Sequence, residues 1–354
     1  MDAFEYTSLP GRVVFGFGTI ARVPDEVSAL GCRRAFVLSA PHHENTAAMC
    51  LLEALGDCAV GLSSEATMHT PVEVTDRVLQ QLTAAGADCL VGLGGGSTTG
   101  LCKALALRTD LPQIIVPTTY AGSEATPILG QTEQGRKSTM RSPKVLPEVV
   151  VYDVELTLGL PSYLSVVSGM NAIAHAVEAL YAEDANPITS AVAEQGITAL
   201  GHALPLIVAD TQDRAARADA LFGAWACGNC LGTVGMSLHH KLCHTLGGSF
   251  NLPHAETHTV ILPHVAAFNS AAAREALGRV ARALGVDCAA QGLFDLGASL
   301  GAPISLEALG MTESDLDKAT DITVSNPYWN PRRIEREAIR ALLGDAYHGR
   351  RPSC

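Results

Sequence analysis

Hydrophobic residues in the first 150 positions are grouped into short, nearly continuous runs. The four clearest runs are RRAFVLSA (33–40), DCLVGLGGGS (88–97), QIIVPTT (113–119) and EVVVYD (148–153). The segments between them, including 71–87, repeat apolar residues at helical spacing. Apolar strands that alternate with helices are typical of a parallel sheet covered on both faces. Residues 1–160 therefore predict an α/β domain, in which ligands bind at the carboxyl ends of the strands.

The pattern changes after about residue 160. Helical spacing of apolar residues continues through 166–182, 187–209, 216–235 and 270–285, and none of these stretches predicts a strand. Pro161 marks the boundary. We therefore expect a second domain, residues 161–354, that is entirely α-helical.

Composition and charge narrow the possible partners. The formal net charge is −12 and the basic residues form no stripe, which argues against nucleic acid or an anionic membrane as a partner. We see neither a signal-like start nor an apolar run long enough to span a bilayer. Ten cysteines without a regular framework suggest reduced thiols in the cytoplasm. An anionic substrate would need a local group of basic side chains.

A glycine-rich loop follows the second of these strands, in the sequence GLGGGSTTGLCKALAL. Gly94, Gly95, Gly96 and Ser97 come directly before a predicted helix, whose free N–H groups and positive dipole end favour an anion. We interpret the loop as a pyrophosphate cradle, although its order is neither G-x-G-x-x-G nor a Walker A loop. The alternative is a glycine turn without a ligand.

The end of the first strand bears on the choice of dinucleotide. No carboxylate occurs there before Glu44, so the ribose hydroxyl that distinguishes NADH from NADPH lacks an obvious acceptor. We therefore expect NADH as cofactor and acceptance of NADPH as well.

Histidines are concentrated in HHKLCHTLGGSFNLPHAETH, residues 239–258. His240 and His244, like His254 and His258, are spaced by four, which places two imidazoles on one helix face. His175 follows Asn171 by four residues on another predicted helix. Such a set can hold a metal ion, or it can serve proton transfer and oxyanion binding without one.

An ordered series of motifs covers most of the chain: GGGS followed by Lys103, then PTTYAGSEAT, GRKSTMRSPKVLPEVVVYD, GMNAIAHAVEALY and HHKLCHTLGGSFNLPH. This series resembles the iron-containing (group III) alcohol dehydrogenase superfamily, which implies a Rossmann-like domain followed by a helical one in the dehydroquinate synthase-like fold. Within it, HTPVEV and the carboxyl-terminal NPYWNPRRIEREAIR are most similar to the maleylacetate reductase family.

That resemblance implies NADH- or NADPH-dependent reduction of the carbon–carbon double bond of maleylacetate to 3-oxoadipate, during the degradation of aromatic compounds. The enzyme would be a cytoplasmic homodimer. The alternative is a metal-dependent (iron or zinc) dehydrogenase of a small alcohol or polyol.

The resemblance also implies roles for individual residues. The catalytic set is His175, His240, His244, His254, Lys137 and Asn171. The cofactor-binding set is Gly94, Gly95, Gly96, Ser97, Thr118, Thr119, Thr126 and Lys137. Basic side chains that could bind substrate carboxylates are Arg136, Lys137, Arg141, Lys144, Lys103 and Lys241.

Two departures from the metal-dependent relatives shape our expectation about metal. Asn171 stands where those enzymes have a ligand aspartate, and Gly100 stands where they usually have an aspartate after GGGS. Three neutral imidazoles would leave both charges of a divalent ion uncompensated. We therefore expect no bound metal, and a histidine pocket that donates protons and binds an oxyanion.

Overall fold

The computed structural model of the chain describes residues 4–9, 11–41, 47–325 and 328–354, and the side chains of all of these except Arg136 and Lys137. The chain forms two compact units. One comprises Leu9–Leu160, and the other comprises Pro161–Cys354 together with residues 4–8.

The first unit is built on a parallel sheet, as predicted. Its strands are β1 (Arg12–Gly16), β2 (Ala35–Ser39), β3 (Ala59–Ser63), β4 (Cys89–Gly94), β5 (Gln113–Pro117) and β8 (Val149–Asp153). Among the described residues these six strands lie in the order β1-β8-β5-β4-β2-β3, and every pairing is parallel. The four strands expected from the apolar runs are all present.

Both faces of this sheet are covered. The helices of the unit are α1 (Val23–Ala29), α2 (Ala47–Leu55), α3 (Val72–Ala85) and α4 (Gly96–Thr109). Neighbouring strand residues enter different cores: Val37 and Val91 pack in one cluster, whereas Leu38 and Leu90 pack in the other. Because side chains alternate along a strand, two buried faces require a continuous apolar run, and these strands have one.

An antiparallel hairpin in this unit has no counterpart in the expected elements. Strands β6 (Ile128–Glu133) and β7 (Arg136–Arg141) pair in register around the turn residues Gln134 and Gly135. Both turn residues have positive φ, as two-residue hairpin turns require. The basic segment that begins at Arg136 is therefore a strand of this hairpin.

The second unit is helical throughout its described residues, which confirms the predicted fold class. Its helices are α5 (Ser162–Leu180), α6 (Pro187–Ala209), α7 (Arg214–Thr233), α8 (Leu238–Phe250), α9 (His254–Asn269), α10 (Arg274–Leu284), α11 (Ala289–Ser299), α12 (Asp315–Ser325) and α13 (Arg336–Tyr347). Almost every residue of α5 from Ser165 onward is buried. The functional side chains of this helix are therefore shielded from bulk water.

Helix α6 is long and apolar enough, by length and composition alone, to cross a membrane. A core helix of a folded unit meets the same criterion, and one face of α6 is buried through residues such as Ile197 and Leu204. Glu194 on the same helix forms an ion pair with Arg279 of α10 at 3.3 Å. Helix α6 therefore packs as one helix of the helical unit.

The carboxyl terminus is fastened to α11. Cys288 and Cys354 form a disulfide, and both guanidinium nitrogens Nε and Nη2 of Arg351 donate to Asp295 at 2.7 and 2.6 Å. Gln291 Nε2 adds a hydrogen bond to the carbonyl oxygen of Pro352. The expectation of reduced thiols is wrong for this one pair, because two cysteines far apart in sequence lie side by side in the folded chain.

Candidate active site

A chain of buried hydrogen bonds links the histidines of α5 and α8. Glu178 Oε2 lies 2.7 Å from His240 Nδ1, and His240 Nε2 lies 2.9 Å from His175 Nδ1. A carboxylate only accepts, so His240 donates from Nδ1 and its Nε2 accepts from His175. His175 Nε2 then faces the amide Nδ2 of Asn171 at 3.4 Å. With both rings neutral, donors and acceptors therefore run in one order from Asn171 to Glu178, and metal binding would require His175 to carry its proton on Nε2 instead.

Glu178 is the functional residue that the sequence interpretation missed. Asn171, His175 and Glu178 are spaced by four and three residues, so one face of α5 presents all of them. The carboxylate also accepts from the backbone N–H groups of Ser237, His239 and His240 at the start of α8. The spacing N-x-x-x-H-x-x-E was the available signal.

Burial by itself would raise the pKa of Glu178, but the hydrogen bond and the charge of His240 outweigh burial and lower the pKa to about 2. The positive end of the α8 dipole acts in the same direction. Glu178 therefore carries a negative charge at neutral pH, although it is completely buried.

The remaining predicted histidines surround this chain. The ring of His254, in the first turn of α9, lies 4.3 Å from that of His258 between centroids, and the His258 ring lies 5.0 Å from that of His240. His244 is exposed, with its ring centroid 6.3 Å from that of His240. The structure therefore brings His175, His240 and His254 into one cluster and leaves His244 at its solvent side.

The glycine loop joins β4 to α4 as predicted, but its three glycines are not equivalent. A Cβ on Gly94 would collide with the side chain of Thr98, and one on Gly95 would lie 2.9 Å from Thr119 Cγ2. Packing within the unit therefore already requires glycine at both positions. Gly96 is exposed, and its Cβ would meet nothing closer than 3.7 Å, which leaves room for a ligand at the start of α4.

Lys103 supports the segment that follows β5. It is 1% exposed, and its ammonium group donates to the carbonyl oxygens of Ser123, Thr126 and Ile128 and to the Thr126 hydroxyl. Burial lowers the pKa of Lys103 to about 7, partly opposed by the charge of Glu124. Lys103 is thus not available to bind a substrate carboxylate, and the Thr126 hydroxyl is engaged within the unit. Thr118, by contrast, is hydrogen-bonded through its N–H to Gly94 at the loop itself.

The backbone of Lys137 lies in β7 opposite Thr132, whereas the side chains of Lys137 and Arg136 fall outside the described residues, as does Glu44. Thr132 donates its N–H to the carbonyl of Thr70, and the Thr70 hydroxyl occupies the space that a Cβ on Gly100 would need. The absence of an aspartate at position 100 therefore has a steric cause. The hairpin that carries Lys137 is connected through Thr70 to helix α4.

Two of the other basic side chains already have partners. Lys144 forms an exposed ion pair with Asp110 at 3.2 Å, and the ammonium of Lys241 lies 5.6 Å from the centroid of the Tyr328 ring. Arg141 is exposed at the end of β7. Of the six basic candidates, the structure removes Lys103 from the group that could bind a substrate carboxylate and places Lys144 in a surface pair.

Comparison with known proteins agrees with this geometry. Residues 10–154 match the family described as iron-containing alcohol dehydrogenase, and residues 165–347 match the carboxyl-terminal domain of that family. The chain belongs to the iron-containing alcohol dehydrogenase family. Maleylacetate reductases from Rhizobium sp. (strain MTP-10005) and Burkholderia cepacia are 57% and 55% identical, and the alignments cover 99–100% of both chains. The crystal structure of maleylacetate reductase from Agrobacterium tumefaciens has 57% identity and a TM-score of 0.96, covering 99% of this chain and 100% of that one.

Membership of this family contradicts our expectation that no metal is bound, and that expectation is wrong. We had inferred that, because Asn171 replaces the ligand aspartate, no negative charge would offset that of a divalent ion. The structure shows that a buried carboxylate remains, because Glu178 hydrogen-bonds His240 from one turn beyond His175. Carboxylates in this position orient a ligating imidazole and raise its basicity.

Two donors of this set fit a divalent ion. His240 Nε2 and His175 Nδ1 face each other at 2.9 Å, close to the separation of two nitrogens bound to one tetrahedral ion, which is about 3.3 Å. Imidazole nitrogens suit iron and zinc. His175 and His240 would therefore hold the ion, and His254 and the amide of Asn171 are the further donors that the family resemblance implies.

Proposed function

We propose that this chain catalyses the NADH- or NADPH-dependent reduction of maleylacetate to 3-oxoadipate. The observation that carries the proposal is full-length identity of 55–57% to maleylacetate reductases, combined with an intact hydrogen-bonded chain from Asn171 to Glu178. The metal-dependent alcohol dehydrogenases of the same family are the alternative reaction class.

The reaction adds hydride from the nicotinamide to the alkene carbon that is β to the ketone. Negative charge appears on the ketone oxygen as an enolate, and a proton is added to the carbon next to the ketone. The protein must therefore stabilise an oxyanion, deliver one proton and bind two carboxylates.

The helical unit has groups suited to the first two tasks. Glu178 accepts the Nδ1 proton of His240 and so turns Nε2 of that ring toward His175, where both imidazoles could bind the metal. His244 is exposed beside His240 and is suited to exchange protons with water. The bound metal, held by His175, His240 and His254, would act as a Lewis acid that polarises the ketone.

The α/β unit has a loop suited to the cofactor. The proposed pyrophosphate site is the backbone at Gly96 and Ser97, where α4 begins with free N–H groups and open space. Thr118 and Thr119 would border this site, Gly94 and Gly95 would shape the loop, and Thr126 would support the segment that follows β5. Lys137 remains our proposed ligand for a substrate carboxylate. The net charge of the chain is −12, so an anionic substrate needs a basic side chain close to it.

The deciding experiment measures the oxidation of NADH and NADPH at their near-ultraviolet absorption band, with maleylacetate and, separately, with short-chain aldehydes as substrates. We expect rapid turnover of maleylacetate, and specificity constants for NADPH within about tenfold of those for NADH. Turnover of aldehydes alone would replace the proposal by the alcohol dehydrogenase alternative. Chelation followed by metal analysis should lower both the metal content and the rate, and re-addition of iron or zinc should restore both.

A homodimer and a cytoplasmic location are part of the same proposal. Strand β1 is an edge of the sheet, and Val13 and Phe15 on it are each 41% exposed. An exposed apolar edge strand invites pairing with a second copy. Light scattering should give the mass of two chains, and Phe15→Asp should reduce it to one.

A further inference from the structure

A second group of metal-binding atoms lies beside the chain from Asn171 to Glu178. The imidazole nitrogen Nε2 of His239 is 3.0 Å from Nδ1 of His258 and 3.6 Å from Sγ of Cys243. One ligand atom from each of these residues lies within 4.8 Å of those of the other two. All three side chains are buried, with at most 1% exposure. We call these three residues the thiol–imidazole cluster.

The thiol–imidazole cluster shares no residue with His175, His240 and His254. His239 and Cys243 are four apart on α8, so they share one helix face, and His258 lies one turn beyond His254 on α9. This cluster differs in chemistry as well, because it contains a sulfur ligand. Thiolate ligands favour borderline and soft ions such as zinc over hard oxygen-seeking ions.

Two of the three separations match tetrahedral coordination, and the third, between Cys243 and His258, is within 4.8 Å. An ion with metal–nitrogen bonds of about 2.0–2.1 Å and a metal–sulfur bond of about 2.3 Å has nitrogen–nitrogen and nitrogen–sulfur edges of about 3.3 and 3.6 Å. The observed edges are 3.0 and 3.6 Å, so small shifts of the rings would complete the site.

The orientation of the rings also favours convergence on one point. Each ring turns one nitrogen into the thiol–imidazole cluster, while His239 Nδ1 and His258 Nε2 have no hydrogen-bond partner among the described residues. A buried polar atom without a partner costs free energy. The two rings nevertheless leave their outer nitrogens without partners and direct the other nitrogens at each other.

We propose that His239, Cys243 and His258 form a second metal site, which takes a borderline divalent ion such as Zn²⁺ or Co²⁺ through one sulfur and two nitrogens. This site is additional to the one that the family implies, and it does not depend on which substrate the enzyme reduces. Its three protein ligands leave a fourth tetrahedral position open.

Cobalt titration tests the proposal, because a thiolate bound to Co²⁺ gives a near-ultraviolet charge-transfer band that nitrogen and oxygen ligands do not give. The full-length protein is stripped with a chelator and titrated with Co²⁺ in the absence of oxygen. We expect the band to grow to about one sulfur ligand per chain and to disappear when Zn²⁺ is added in excess. Both sites give visible bands of cobalt, so the visible bands that persist in a Cys243 variant report the other site.

Three variants assign the band. Cys243→Ala and Cys243→Ser should remove it, and the serine variant preserves side-chain volume in case the alanine variant misfolds. Cys89→Ala is the matched control, because Cys32, Asp88 and Cys89 form the other described group that could hold a metal. Asp88 already accepts from the N–H groups of Arg33 and Arg34, so we expect this variant to retain the band. Absence of the band in the wild type, or its loss in Cys89→Ala but not in Cys243→Ser, would overturn the proposal.

Discussion

The carboxylate of Glu178 and the imidazole of His240 are 2.7 Å apart in a buried contact between α5 and α8. The same carboxylate accepts hydrogen bonds from backbone N–H groups at the start of α8. One side chain therefore caps this helix and also orients His240. Position and charge at His240 are therefore coupled: whatever disturbs Glu178 also disturbs the start of α8.

Replacement of Glu178 by Gln tests this coupling. The amide cannot supply the negative charge, and its NH₂ group would compete with the backbone and His240 donors. We expect kcat to fall by about 10–100-fold, together with metal affinity, whereas KM for NADH changes little. Steady-state kinetics and metal analysis measure both effects.

Glu194→Gln is the control for that variant. Glu194 accepts from Arg279 in a partly exposed pair, so its loss should cost at most about 1 kcal/mol and leave kcat unchanged. An unchanged kcat in Glu178→Gln would remove Glu178 from the catalytic machinery.

Gly96→Val should weaken cofactor binding without disturbing the fold. Its new side chain would fill the open space at the start of α4, so we expect KM for NADH to rise at least tenfold at an unchanged melting temperature. Gly159→Val, at an exposed turn with no atom within 4 Å of the new Cβ, is the control. Gly95→Val is a poor test, because it collides with Thr119 whether or not a cofactor binds. Equal NADH affinity in wild type and Gly96→Val would contradict our placement of the pyrophosphate.

The contrast between these glycines shows what the sequence could predict. The buried run of β4 followed by glycines predicts a strand, a loop and a helix, because burial on both faces leaves a continuous apolar signature. Which glycine leaves room for a ligand depends on Thr98 and Thr119, whose approach only the folded chain determines.

The sequence interpretation also missed the β6–β7 hairpin and the role of Glu178. The hairpin β6–β7 was missed because its strands are largely polar and partly exposed, so they lack the apolar runs that identified the other strands. Glu178 was missed because its partners Ser237 and His240 are about 60 residues away in sequence. The sequence does show that Glu178 is a carboxylate within an otherwise apolar stretch of α5, and a buried carboxylate requires a partner.

Lys103→Met should destabilise the α/β unit strongly. It would leave the carbonyl oxygens of Ser123, Thr126 and Ile128 buried without their donor, at a cost of about 2–4 kcal/mol. Lys144→Met, which breaks only the exposed pair with Asp110, should cost at most about 1 kcal/mol. Urea unfolding followed by circular dichroism compares the two, and equal midpoints would contradict the structural role of Lys103.

Acid should destabilise the helical unit through His264. Burial, partly opposed by the charge of Asp345, lowers the pKa of His264 to about 4 from its ordinary value of 6.5. Between pH 4 and 6.5, His264 is therefore mostly protonated in the unfolded chain and mostly neutral in the folded chain. This contribution to stability is complete above pH 6.5 and is lost as the pH falls toward 4, with a slope of at most about 1.4 kcal/mol per pH unit.

Tryptophan fluorescence measures this effect, because both tryptophans of the chain, Trp225 and Trp329, lie in the helical unit. His264→Gln should flatten the dependence of the unfolding free energy on pH between 6.5 and 4. The exposed His202→Gln should leave the slope as it is in the wild type. Identical slopes in all three proteins would show that His264 titrates normally in the folded chain.

The order of the strands in the sheet affects how the α/β unit folds during synthesis. Strand β1 is made first, yet its neighbour in the sheet is β8, which ends at Asp153. Until about 140 further residues have been synthesised, Val13 and Phe15 therefore have no strand to pair with. Domains generally fold as units during synthesis, and unpaired strand edges promote aggregation in the meantime. Slower translation before residue 153 should prolong that interval, so the yield of soluble enzyme is expected to depend on codon choice upstream of β8 more than downstream.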